Sequence, residues 1–175
     1  MADQSGRILV NTGDGKGKTT AALGVALRAI GQGMRVLMVQ FLKGNWSTGE
    51  IKAIQRLEPE MTAVRMGKGF TWEHDNLDED RAAALAAWEY SRQALASGQY
   101  DVVILDEINY AIHYGFLDAA AVVAALKARP PQVHVILTGN HAHRDIIALA
   151  DTVTDMQMVK HAFREGTRAV RGIEY

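Results

Sequence analysis

The sequence predicts a three-layer α/β domain, a mostly parallel sheet with helices on both faces. Three observations carry that expectation. Strand-length apolar runs alternate with helical segments along most of the chain. The runs at 35–41 and 101–105 are apolar through their centres instead of alternating, as strands covered on both faces are. A glycine-rich loop, Gly13-Asp14-Gly15-Lys16-Gly17-Lys18-Thr19-Thr20, joins the first run to the first helical segment.

The elements follow in order. A strand is expected at 7–12, then the loop, then a helix near 18–31. That helix stops at Gly31-Gln32-Gly33, where glycine suits a left-handed termination. A strand at 35–41, a short helix at 50–57 and a strand at 62–66 come next. A loop at 67–76 leads to a long helix at about 78–97, rich in alanine and leucine. The run 101–107 reads as another buried strand. Helical segments at 108–114 and 118–128 follow, stopped by Pro130-Pro131. A strand at 133–137 ends at Thr138-Gly139, and a helix at 143–149 and a strand at 152–158 complete the pattern. The tail, 161–175, has no clear periodicity.

The chain has 175 residues, which suits one domain, 1–175. With a net charge of −1, nothing global argues for nucleic acid, which usually needs a basic face. There is no cysteine, hence no disulfide framework, thiol nucleophile or cysteine metal site. The first six residues lack a signal-peptide pattern, and no apolar run approaches the roughly 18 residues of a membrane span. A cytoplasmic protein is the expectation.

The loop carries the chemistry. Strand, glycine-lysine-threonine loop and helix together cradle nucleotide phosphates. The glycines let backbone N–H groups converge on anionic oxygens, and the helix start adds its positive dipole end. Lys18 supplies a point charge for phosphate, and Thr19 offers a hydroxyl to Mg²⁺. The usual pattern has four residues between the first glycine and Gly-Lys-Thr. Here Thr12 stands where that glycine belongs and Gly13 follows, so the loop is one residue short and sets a different phosphate register.

Asp106-Glu107 closes the buried run at 102–105. An acid there, beside a phosphate loop, organises Mg²⁺ directly or through water. Side chains alternate along a strand, so one of the two faces the metal and the other supports it. Lys18, Thr19 and Glu107 are the candidate catalytic residues, with Thr19, Glu107 and Asp106 as the metal set.

Other positions fit two readings each. Phe70 and Trp72, in Gly67-Lys68-Gly69-Phe70-Thr71-Trp72-Glu73, either fold onto the core or bind something flat. Arg28 either reaches the nucleotide or a neighbouring subunit, or lies along the surface. Gln40 and Lys43 end a strand, where ligands collect and where loops are also solvated. His141 and His143 form a His-x-His pair without a carboxylate cluster; turn and cap roles for Asn140 and Asp145 suit that segment better. Lys160 and His161 are substrate contacts or plain surface. No general base is evident, which suits reactions that need positioning more than proton removal.

Several stretches, taken in order, resemble one family. They are 12–22 (TGDGKGKTTAA), 39–44 (VQFLKG), 69–72 (GFTW), 105–107 (LDE), 138–139 (TG), 159–163 (VKHAF) and 172–175 (GIEY). The chain resembles the ATP:corrinoid adenosyltransferases, also called cob(I)yrinic acid a,c-diamide adenosyltransferases, of the P-loop, RecA-like type. The resemblance implies transfer of the 5′-deoxyadenosyl group of ATP to the Co(I) of a corrinoid, with release of triphosphate, in adenosylcobalamin biosynthesis or salvage. Cobalt is then the nucleophile, which accounts for the missing base. The family binds ATP in an orientation reversed from most P-loop enzymes.

The resemblance also assigns roles. Gly13, Asp14, Gly15, Lys16, Gly17, Lys18, Thr19 and Thr20 surround the triphosphate, and Arg28 matches an arginine near the nucleotide. Thr19 and Glu107 hold Mg²⁺, with Asp106 supporting. Phe70 and Trp72 match aromatics packed under the corrin ring, which exclude the lower axial ligand and ease reduction of Co(II). Asn140 stands where many members have arginine, so a phosphate contact is lost or supplied by another residue such as His141 or Arg144. Twelve residues precede Gly13, fewer than the family often has, so corrin closure is looser or borrowed from another element. A homodimer and a reduced flavoprotein electron donor are further implications. The alternatives are an ordinary P-loop NTPase or small-molecule kinase, or a non-catalytic nucleotide-binding module.

Overall fold

The structure is a computed structural model, and it describes residues 5–42, 48–67, 77–162 and 166–173. Its elements are β1 (Ile8–Thr12), α1 (Lys18–Ile30), β2 (Val36–Gln40), α2 (Gly49–Ile54), β3 (Met61–Arg65) and α3 (Leu77–Ser97). They continue with β4 (Val102–Asp106), α4 (Ile108–His113), α5 (Ala119–Ala128), β5 (His134–Thr138), α6 (Arg144–Leu149) and β6 (Thr152–Asp155). The six strands form one sheet in the order β3-β2-β4-β5-β1-β6, and every pairing is parallel. The expected three-layer α/β class, a parallel sheet with helices on both faces, is what the chain adopts.

Period-two alternation sorts the strands onto two faces. Ile8, Val10, Leu37, Val39, Val103, Leu105, Val135 and Leu137 point to one side and pack with residues of α3, α4, α5 and α6. Val36, Met38, Val102, Ile104 and Ile136 point to the other and pack with α1 and α2. Three alanines of α1, Ala22, Ala26 and Ala29, face that second side and let the helix lie close to the sheet. Both faces are buried, so the central strands have no polar side to show in the sequence.

The same alternation positions the site. Asn11, Gln40, Asp106 and Thr138 share parity with the residues on the α1 face, and each lies at or next to the C-terminal end of its strand. The register puts Gln40 beside Asp106 and Asn11 beside Thr138. β5 lies between the loop-bearing β1 and the acid-bearing β4. Ligands of open α/β sheets collect at this carboxyl edge.

The helix stop expected at 31–33 is found, with Gly31 closing α1 in right-handed conformation (φ −61°) and Gly33 taking the left-handed one (φ 77°). Two boundaries differ from expectation. The helix expected at 50–57 ends at Ile54 and runs into a turn, where Leu57 N–H donates to the Ile54 carbonyl at 2.8 Å. The last strand stops at Asp155, three residues early, because the chain there leaves β1 to cross the glycine loop. Among the described residues of the tail, 166–173 hold no helix or strand. No helix among the described residues is long and apolar enough to cross a membrane.

Candidate functional site

The loop between β1 and α1 is shaped by left-handed glycines. Gly13 (φ 95°) turns the chain out of β1, and Gly17 (φ 112°) caps α1. A side chain would meet steric conflict at two positions. A Cβ on Gly13 would strike the Asp155 side chain and the Met156 backbone, and one on Gly15 would sit 2.7 Å from the carbonyl oxygens of Met156 and Gln157. The crossing segment also bonds to the loop. Met156 N–H donates to Thr12 carbonyl at 2.9 Å, and Gly15 N–H donates to Met156 carbonyl at 2.6 Å. Met158 N–H donates to Asp14 Oδ1 at 3.1 Å. Residues 156–158 therefore brace the loop, and the glycines at 13 and 15 make room for this brace.

Lys18 opens α1. Its Nζ donates to the carbonyls of Gly13 at 2.7 Å and Gly15 at 2.6 Å, so the ammonium lies over its own loop. Asn11 Nδ2 donates to the Lys18 carbonyl at 3.2 Å, which ties the helix start to β1. Thr19 points toward β4, where its hydroxyl donates to Asp106 Oδ1 at 2.8 Å.

Asp106 is fully buried and collects donors from three elements. Besides Thr19, Thr138 Oγ1 donates to Oδ1 at 2.8 Å and Gln40 Nε2 donates to Oδ2 at 3.1 Å. A carboxylate out of water needs such donors, because burial without hydrogen bonds is costly. The Thr138 hydroxyl in turn accepts the Glu107 N–H at 2.9 Å. Glu107 itself is left-handed (φ 66°) at the start of α4. Glu107 lines the cleft. The two adjacent acids thus divide, with Asp106 fully buried and Glu107 at the cleft wall.

Gly139 continues β5 with φ 114°, and a Cβ there would lie 2.9 Å from Glu107 Oε2. Asn109 Nδ2 donates to the Gly139 carbonyl at 2.9 Å and clips this turn to α4.

A cleft of about 740 Å³ opens over the loop. It brings together the expected Asp14, Gly15, Lys16, Gly17, Lys18, Thr19, Thr20 and Glu107, and it adds His161. Tyr110, Leu23 and Ile173 also line it, and nothing in the sequence reading singled them out as site residues. Burial first, then the nearby charge of Glu107, raises the Tyr110 phenol above its ordinary value, so it stays protonated at neutral pH. Arg28 lies exposed in the last turn of α1, ten residues beyond Lys18, or about 15 Å along the helix axis. Phe70, Trp72 and Lys43 lie outside the described residues.

The histidine pair takes structural roles. His143 is the N-cap of α6, with Nδ1 accepting the Asp145 N–H at 3.3 Å. His141 stacks on His113 at 4.1 Å between ring centroids, and Asn140 Oδ1 accepts the His141 N–H at 2.8 Å. Among the described residues no three or more His, Cys, Asp or Glu side chains converge on a metal position. Gln40 and Thr138 are the residues whose weight the sequence understated. The signal was a polar side chain ending an apolar buried strand.

The brace gives a direct test. Gly15→Ala is expected to push residues 156–158 off the loop, weakening Mg-ATP binding by about 10-fold or more in calorimetric titration, since two backbone carbonyls occupy the new methyl's space. Binding of wild-type strength would show that the brace does not set the loop.

Comparison with known proteins is consistent across nearly the whole chain. The family model described as ATP:corrinoid adenosyltransferase BtuR/CobO/CobP matches residues 4–175. The chain is 47% identical over 174 residues to the corrinoid adenosyltransferase CobA of Salmonella typhimurium, covering 99% of this chain and 87% of that protein. It is 47% identical over 174 residues to the corrinoid adenosyltransferase of Escherichia coli K12, with the same coverage, 99% and 87%. It is 45% identical over 173 residues to that of Pseudomonas aeruginosa, covering 99% and 85%. This chain therefore belongs to the ATP:corrinoid adenosyltransferase BtuR/CobO/CobP family.

Proposed function

We propose that the protein transfers the 5′-deoxyadenosyl group of ATP to the reduced cobalt of a corrinoid and releases inorganic triphosphate. Near full-length kinship with corrinoid adenosyltransferases carries this reading. In the reaction, Co(I) supplies an electron pair to C5′. The cobalt–carbon bond forms, the C5′–O5′ bond breaks, and triphosphate leaves with the bonding pair. No proton moves in this step, so no side chain need act as a base. The protein's task is to hold C5′ in line and to stabilise charge on the departing triphosphate.

The residues of the cleft suit that task. Lys18 exchanges its contacts with the loop carbonyls for phosphate oxygens when nucleotide binds. Lys16 lies at the same cleft. The hydroxyl of Thr19, with Asp106 behind it and Glu107 facing the cleft, forms a hard oxygen set that fits Mg²⁺. Thr19 and Glu107 would hold the ion and Asp106 would orient Thr19, leaving a lone pair of the Thr19 oxygen for the metal. The ion when bound neutralises phosphate charge. Phe70 and Trp72, by resemblance, lie under the corrin ring. A homodimer and a reduced flavoprotein donor belong to the same reading, as does a nucleotide contact by Arg28.

Anaerobic incubation with Mg-ATP and chemically reduced cob(I)alamin tests the reaction. The expected products are a light-sensitive adenosyl–cobalt species and intact triphosphate. ADP and phosphate without a cobalt–carbon bond would point to an ordinary NTPase or kinase. Lys18→Ala and Glu107→Ala are each expected to lower kcat/KM for ATP by about 100-fold or more, read from the corrinoid spectrum. Trp72→Ala is expected to slow adenosylation from Co(II) much more than from supplied Co(I). Equal loss on both routes would remove Trp72 from the lower face.

A further inference from the structure

Five aromatic and imidazole rings gather at the carboxyl edge of the sheet, next to Glu107. Tyr110 and Tyr114 stack across one turn of α4, with centroids 6.1 Å apart and planes 17° apart. His141, from the β5–α6 turn, meets Tyr110 edge-on at 6.1 Å and 77°. His141 also lies parallel to His113 at 4.1 Å, and Phe116 borders Tyr114 at 5.8 Å. His113, Tyr114 and His141 are exposed, and Tyr114 keeps 43% of its surface in water. A core would bury such rings.

The backbone around the group is unusual. Among the described residues, only two non-glycine residues have positive φ, Glu107 at 66° and His141 at 58°. Glu107 directly follows β4 and His141 lies three residues after the neighbouring β5. Left-handed conformations at non-glycine residues cost energy and cluster where a ligand is held. The Asn109–Gly139 clip fixes the two segments against each other. Tyr110 is the member of the ring group that lines the same cleft as Lys18, Thr19 and Glu107.

We propose that Tyr110, backed by Tyr114 and edged by His141, is the platform on which the base of the bound nucleotide stacks. The inference rests on the phosphate loop being the triphosphate site. A ligand with phosphates on Lys18 and Thr19 fills this one cleft, and its purine meets the phenol ring at the cleft's other wall. Base–aromatic stacking is tolerant of base identity, since every base has a π-face. Discrimination of the nucleotide from bare triphosphate then resides in this platform, while the loop recognises only phosphate.

Binding without corrinoid separates this inference from the adenosyl-transfer reading, because nucleotide binding is read there with no cobalt chemistry involved. Dissociation constants are measured by calorimetry for ATP and for inorganic tripolyphosphate, both with Mg²⁺. Tyr110→Leu, which keeps apolar volume against the core, is expected to weaken ATP by about 10-fold or more while tripolyphosphate stays within about twofold. Tyr110→Phe keeps the ring and is expected to bind ATP as wild type does. Tyr114→Ala, at an exposed position, removes the supporting ring and is expected to shift the same ratio by about 2- to 10-fold; it decides the matter should Tyr110→Leu fail to fold. An unchanged ratio in these variants would overturn the platform.

Discussion

A single buried carboxylate, Asp106, joins the parts of this protein that must act together. It ends β4, and it takes hydrogen bonds from Thr19 on α1, Gln40 on β2 and Thr138 on β5. All three partners lie on the α1 face of the sheet, because the strand period gives Gln40, Asp106 and Thr138 one parity. The carboxylate lies out of water and needs hydrogen-bond donors there, and these neutral groups supply them. The position of the phosphate loop relative to the sheet follows from that requirement. Thr19 is drawn to β4 and Lys18, its neighbour, is left over the loop. Glu107, next in sequence, is left-handed, donates its N–H to Thr138 and lines the cleft.

The loop is held from a second side by the segment that follows β6. One fewer residue separates its glycines than in the common phosphate loop, and the Gly15 N–H is already bonded to Met156. A loop with fewer amides facing outward relies more on Lys18, the α1 N-terminus and a metal ion to neutralise a triphosphate. That arrangement suits a reaction in which triphosphate is the leaving group, and in which nothing in the cleft need accept a proton or a phosphoryl group.

Much of this was legible in the sequence, and particular residues explain where legibility ended. Apolar strand runs, alternating helices, the loop and Asp106-Glu107 all fall where local pattern placed them, because each has a local physical cause. Gln40 and Thr138 became readable only with the register, which aligns strands far apart in the chain. The end of β6 was misjudged because the crossing of the loop by 156–158 is a tertiary contact without local signal. Tyr110 passed unremarked because an aromatic on a short helix reads as core, and its cleft wall depends on how α4 lies beside β5.

Asp106→Asn tests the central claim most directly. An amide of the same shape offers one acceptor oxygen and one donor nitrogen to three donor groups, so at least one hydrogen bond must break. With folding verified by circular dichroism, the measurement is kcat/KM for ATP in the adenosylation of cob(I)alamin. Dependence on Asp106 predicts a loss of about 100-fold or more, comparable to removing a catalytic contact outright. Near wild-type turnover by a folded Asp106→Asn protein would contradict it, and would mean that the loop holds its place without the buried carboxylate.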